Sequence, residues 1–172
     1  MADFGMLNCF SFWNLAVVFV CYTLSDIGSV YGGPFLYIPY NGTRPNNTVA
    51  REVCKSYRNC ELAVIDTQSE YDRMYAYFND TLGENFTLPT AVWIGLYWID
   101  VTGLGNYTHF WEKSGQLEEL TWSYWDGGEP NDPGSEDCAR IHTNMYMRSI
   151  ECYRSYDILC EGTGKCLDWL ID

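Results

Sequence analysis

Histidine is almost missing from this chain: among 172 residues there are two, His109 and His142. Both sit far from any cysteine pair and no Cys-x-x-Cys occurs, which excludes the usual zinc-binding patterns. No Gly-x-Ser-x-Gly segment and no phosphate-binding loop occur, so the common signatures of nucleophilic or nucleotide-dependent catalysis are absent. Positive charge is scarce as well. Ten Lys and Arg stand against 23 Asp and Glu, a net charge of -13; that balance repels nucleic acid and anionic membranes and favours cations or basic partners. There is no internal repeat or low-complexity tract, and nothing after residue 24 is long and apolar enough to be inserted stably in a membrane.

What is present points outward from the cell. Phe10 to Leu24 form an apolar run of 15 residues, short for a bilayer span but suited to a signal-peptide core, so residues 1–29 read as a signal peptide. Ile27-Gly28-Ser29 is an acceptable cleavage site and Thr23-Leu24-Ser25 an alternative; an uncleaved anchor is the competing reading. Five Asn-x-Ser/Thr acceptors occur, at Asn41, Asn46, Asn79, Asn85 and Asn106, which predicts a glycosylated surface. Cys9 and Cys21 would leave with the signal peptide. An even six remain, Cys54, Cys60, Cys138, Cys152, Cys160 and Cys166, as a secreted disulfide framework would have, with the pairing left open by sequence alone.

In chain order, Phe35 to Tyr40 form the apolar part of a short strand between Gly/Pro turns. Val49 to Asn59 carry apolar residues at helical spacing, with Asn47 or Thr48 as N-cap. Leu62 to Ile65 read as a brief buried strand, followed by Thr67-Gln68-Ser69-Glu70, a capping box that opens a helix with Tyr71, Met74, Tyr75 and Phe78 on one face. Asn79 and Asp80 would end it. The pattern then changes to strands: Ala91 to Trp98, His109 to Glu112, Arg140 to His142 and Tyr156 to Cys160. Two helices followed by short strands and long loops make an α+β domain of one unit, residues 30–161, with a tail over 162–172.

One segment resists both helix and strand. Trp125 to Cys138, WDGGEPNDPGSEDC, packs Asp126, Glu129, Asp132, Glu136 and Asp137 among Gly and Pro. An acidic, oxygen-rich loop of this kind suits a hard cation such as calcium. Pro130, between Glu129 and Asn131, fixes the loop shape, with either isomer open.

Helix cysteine Cys54, Trp93-Ile94-Gly95-Leu96, Trp125, Glu129-Pro130-Asn131, Cys138-Ala139, Cys152 and Cys160-Glu161 together resemble the C-type lectin domain family, over about Phe35 to Glu161. The resemblance implies a C-type lectin-like fold, core positions for Trp93, Leu96 and Trp125, and disulfides Cys54–Cys160 and Cys138–Cys152. Cys60 and Cys166 lie outside the family's common set and would pair with each other, tethering the tail. The family's sugar site uses one calcium ion whose oxygen ligands also hydrogen-bond two sugar hydroxyls. Its Glu-Pro-Asn form is associated with mannose-type hydroxyl pairs. Carried over, this makes Glu129, Asn131 and Glu136 both sugar-binding and metal residues, with Asp132 and Asp137 on positions of an auxiliary calcium.

There is one departure. The family completes its calcium site with a Trp-Asn-Asp triplet before the third framework cysteine, where this chain has Met147-Arg148-Ser149. Calcium takes six to eight oxygens, and Arg148 is expected to reach Glu129 or Glu136 as a salt bridge in place of the ion. The leading expectation is therefore a secreted, extracellular carbohydrate-binding lectin with a weakened calcium site, clustering into multimers for avidity. The alternative is a calcium-independent lectin-like domain that binds a protein or a matrix or mineral surface. Catalysis is not expected from an acidic loop of this type.

Overall fold

The structure is a computed structural model that describes residues 35–57 and 60–162; the predicted signal peptide and the tail from residue 163 lie outside the described residues. Its elements are β1 (Phe35–Ile38), α1 (Asn47–Ser56), β2 (Cys60–Leu62), α2 (Gln68–Leu82), β3 (Val92–Asp100), β4 (Tyr107–Lys113), β5 (Gln116–Glu119), β6 (Cys138–Ile141), β7 (Met147–Ile150) and β8 (Asp157–Gly162). Strands run in the order β1-β8-β3-β4-β5, with β2 added on β8 and the β6–β7 hairpin joined to β3. The β3–β8 pair is parallel; the other described pairs are antiparallel. This is the C-type lectin-like α+β fold.

Helix α1 starts at Asn47, two residues ahead of the Val49 start that the sequence pattern suggests. Asn46 is the N-cap, its side chain accepting from the Val49 amide at 3.0 Å, while Asn47 is buried in the first turn. The capping box of α2 forms: the Glu70 amide donates to Thr67 Oγ1 at 3.2 Å. The Glu70 carboxylate accepts from the Asp66 amide, just ahead of the cap. Met74 and Phe78 are buried, but Tyr75 is 47% exposed. The helix runs to Leu82, past Asn79 and Asp80, and stops at Gly83, whose amide still bonds the Asn79 carbonyl while its φ of 93° leaves the helical region.

Trp93 and Leu96 are fully buried in β3, whereas Trp125 is only half-buried. A Cβ on Gly95 would lie 2.9 Å from the Leu62 carbonyl oxygen, so only glycine allows this close approach of β3 to the chain leaving β2. The buried Asp157 carboxylate receives the Tyr37 hydroxyl, the Tyr40 amide and Arg44 Nε. It fixes the chain after β1 against β8 without an unpaired buried charge. Disulfide Cys54–Cys160 ties α1 to β8, and Cys138–Cys152 joins the start of β6 to the turn after β7. Cys60 is also disulfide-bonded; its expected partner Cys166 lies outside the described residues.

Two strands were not expected. β5 is exposed at every position, so it has no apolar alternation to betray it, and it forms by hairpin pairing with β4. β7 occupies the stretch read for its missing calcium ligands; alternating burial of Met147 and Ser149 marks it as a strand.

Candidate functional site

The acidic loop is anchored at both ends by main-chain bonds. At its start, the Met147 amide donates to the Tyr124 carbonyl and the Asp126 amide to the Met147 carbonyl. At its end, the Trp98 amide donates to the Asp137 carbonyl. Between these anchors the chain turns on the cis Glu129–Pro130 bond and on Asp132 at φ 50°. The Asp132 carbonyl then accepts from the amides of Ser135 and Glu136.

Ser149 is the centre of the site. Only 4% exposed, it projects from β7 into the loop. Its hydroxyl lies 2.7 Å from Glu129 Oε2, 3.0 Å from Glu136 Oε2 and 3.2 Å from the Asn131 carbonyl oxygen. A hydroxyl has one proton, and the shortest contact directs it to Glu129. The Ser149 amide donates to the same Glu129 oxygen at 3.1 Å, and the Asn131 amide donates back to Ser149 Oγ at 3.1 Å. The structure thus brings Glu129, Asn131 and Glu136 together around one side chain. Asp132 is exposed in the turn, and Asp137 Oδ1 accepts from the Gly134 amide.

Arg148 does not do what the sequence suggested. It reaches Asp126 instead of Glu129 or Glu136, donating through Nε at 2.7 Å and through Nη2 to the same oxygen, Oδ2. Asn144 Nδ2 and the Gly127 amide complete the shell of that carboxylate. Together, Asn144 first and Arg148 next, they hold the Asp126 carboxyl down at about 2. The reason is register: Arg148 opposes Arg140 across the β6–β7 hairpin, while Ser149 projects to the other face of the strand toward Glu129. Arg140 lies over the Tyr156 ring at 4.4 Å. Asp126 was legible only as one carboxylate among five, and Asn144 carried no sequence signal.

Calcium was the expected cofactor, and the donor set does not fit a complete calcium site. One Glu129 oxygen already accepts both a hydroxyl and an amide from Ser149. A serine stands at one ligand position and a paired guanidinium at the other, leaving too few free oxygens for six to eight bonds. Among the described residues no group of three or more His, Cys, Asp or Glu is placed to hold a metal.

Beneath the loop, His109 packs between Trp98 and Trp125, with ring centroids at 4.5 and 5.3 Å. Burial pushes its pKa down to about 4, so it is neutral at physiological pH. Of the five sequons, Asn41, Asn85 and Asn106 are exposed; Asn46 caps α1, and Asn79 lies half-buried in the last turn of α2.

No family model and no curated protein sequence matches the chain. Solved structures do. Human lithostathine is similar at 18% identity and TM-score 0.57, over 76% of this chain and 83% of that one. The C-type lectin CEL-I from Cucumaria echinata is similar at 20% identity and TM-score 0.55, over 76% and 91%. The cow C-type carbohydrate-recognition domain of CD23, solved in the presence of a GlcNAc2Man3 oligosaccharide, is similar at 22% identity and TM-score 0.54, over 75% and 88%. These likenesses establish the class: the chain has the fold of C-type lectin domains.

Proposed function

We propose that this is an extracellular lectin-like domain that binds carbohydrate, with mannose-type hydroxyl pairs read by Glu129, Asn131 and Glu136. The observation that carries the reading is the Ser149 network: it holds the Glu129–Pro130–Asn131 segment in a defined shape, with the Asn131 side chain on the exposed face of the loop. A pre-shaped loop of this kind lowers the ordering cost of binding. In this reading Ser149 does the positioning that an ion does elsewhere, and sugar binding does not depend on calcium. The cow CD23 domain in the presence of GlcNAc2Man3, and a murine dendritic cell inhibitory receptor 2 domain in complex with N-glycan, are structural neighbours that support the sugar class. The disulfides support secretion. A shallow hydroxyl-reading surface binds weakly, so useful affinity comes from clustering of several copies.

The test is calorimetric titration of the secreted chain with methyl α-mannoside, in calcium and in chelator. Binding in the millimolar range that is indifferent to chelator is the expected result. Absence of heat in both buffers overturns the carbohydrate reading. That outcome would leave a domain that binds a protein or a charged surface, an alternative favoured by one observation: Ser149 already engages a carboxylate oxygen that a sugar would otherwise use.

A further inference from the structure

Beside the acidic loop, four aromatic rings gather on one surface. Tyr124 stacks on Tyr146 with centroids 4.7 Å apart and planes at 10°. It lies parallel to Trp122 at 6.4 Å and meets Tyr71 at 4.6 Å. Tyr124 is 36% exposed and the other three are half-buried; Tyr71 and Trp122 pack on the core, and Tyr124 and Tyr146 form the outer layer of the cluster. A chain of planar polar groups runs along its edge: Arg148 and Asn144 donate to Asp126, and Asn144 Oδ1 lies 3.2 Å from His142 Nδ1. Main-chain bonds of Tyr124 and Asp126 to Met147 tie the segment that carries Tyr124, and the start of the acidic loop that follows it, to β7.

We infer that this ring cluster is a second carbohydrate subsite, taking the pyranose linked to the one held at Glu129 and Asn131; the inference rests on the carbohydrate reading above. The chemistry matches on both sides. One face of a pyranose is a patch of C–H groups, which the negative face of an aromatic ring attracts. Its rim carries hydroxyl pairs, which planar carboxylate, amide and guanidinium groups bond in parallel. A protein partner is the weaker fit, since a stable interface buries about 800 Å² on each side, far more than four partly covered rings offer. An anionic membrane is disfavoured by the net charge of -13.

The experiment compares methyl α-mannoside with an α-linked mannose disaccharide on the full secreted chain, for the native protein and for Tyr124→Ala, Tyr124→Phe and Glu129→Gln. Tyr124→Ala should weaken disaccharide binding roughly fivefold, the worth of one aromatic contact, and leave the monosaccharide unchanged; Tyr124→Phe should keep both affinities. Glu129→Gln should weaken both sugars. If Tyr124→Ala affects neither sugar, or both equally, the subsite is wrong while the carbohydrate reading stands. If the native chain binds neither sugar, the carbohydrate reading itself falls and takes the subsite with it. Should Tyr124→Ala not fold, Tyr146→Leu carries the same comparison.

Discussion

The Ser149 hydroxyl and the Ser149 amide both donate to one oxygen of Glu129, at 2.7 and 3.1 Å. This relationship ties the loop's shape to β7. Ser149→Ala removes the hydroxyl that bonds Glu129 and the acceptor of the Asn131 amide, and should cost about 1–3 kcal/mol. Urea denaturation measures it; no loss of stability would mean that the network contributes nothing. The converse change, Arg148→Asn with Ser149→Asp, supplies two missing oxygen ligands and should raise calcium affinity on calorimetric titration. If no heat appears, the account of the calcium defect is wrong.

Arg148 and Asp126 give a separate prediction in acid. The Asp126 carboxyl is held at about 2, below its ordinary 3.8, by Asn144 first and Arg148 next. A lowered carboxyl pKa contributes stability above the ordinary value and loses it as pH falls through the folded value. The Arg148–Asp126 link should therefore survive at pH 4 and break near pH 2. Carboxyl carbon shifts follow it directly: Asn144→Ala should move the Asp126 midpoint upward at least as far as Arg148→Met does. A native midpoint near 3.8 would refute the pairing.

How far the sequence carries is clear from particular residues. Cys54, Trp93, Gly95, Leu96 and Cys160 act through spacing, burial and close approach, and they disclose the scaffold because packing imposes such patterns over the whole chain. Helix α2 is legible from Thr67 to Phe78 for the same reason, although its end is set by Gly83. The site is legible by composition, since five carboxylates among Gly and Pro can only be a loop. The partner of each charge is not. Whether Arg148 meets Asp126 or Glu129 depends on which face of β7 it occupies, and β7 was hidden because its four residues, Met147–Ile150, hold two polar side chains. Side-chain direction on a short strand is a property of register, which sequence spacing alone does not fix.

The two described disulfides should differ in weight. Cys54–Cys160 closes a separation of 106 residues and Cys138–Cys152 one of 14. Loop-closure entropy gives about 4–5 kcal/mol for the first and about 3 kcal/mol for the second. Cys54 and Cys160 are also fully buried, so double Ala replacement there adds a cavity. Thermal melts of the two double variants should show the larger drop for Cys54→Ala with Cys160→Ala; equal or reversed order would contradict this. Loss of Cys138–Cys152 should instead fall on the site, because β6 and β7 together place Ser149.

Two half-buried groups set opposing pH dependences. Burial pushes the Glu161 carboxyl up from 4.5 to about 7, with its Oε2 accepting from the Val64 amide, and pushes His109 down from 6.5 to about 4. Between pH 4.5 and 7 the folded state holds a proton on Glu161 that the unfolded chain has lost, so stability from this residue falls as pH rises. Between pH 4 and 6.5 the unfolded chain holds a proton on His109 that the folded state lacks, so stability from this residue rises with pH. In the shared window the slopes offset each other, and the native protein should show little net dependence from this pair. Glu161→Gln keeps an acceptor for Val64 and removes the falling slope, so stability should climb from pH 4 to 6.5. His109→Phe removes the rising slope and an unpartnered buried ring nitrogen, so stability should decline from pH 4.5 to 7. Denaturant titrations at half-unit pH steps separate the two, and identical profiles for both variants and the native chain would show that neither group is held away from its ordinary pKa.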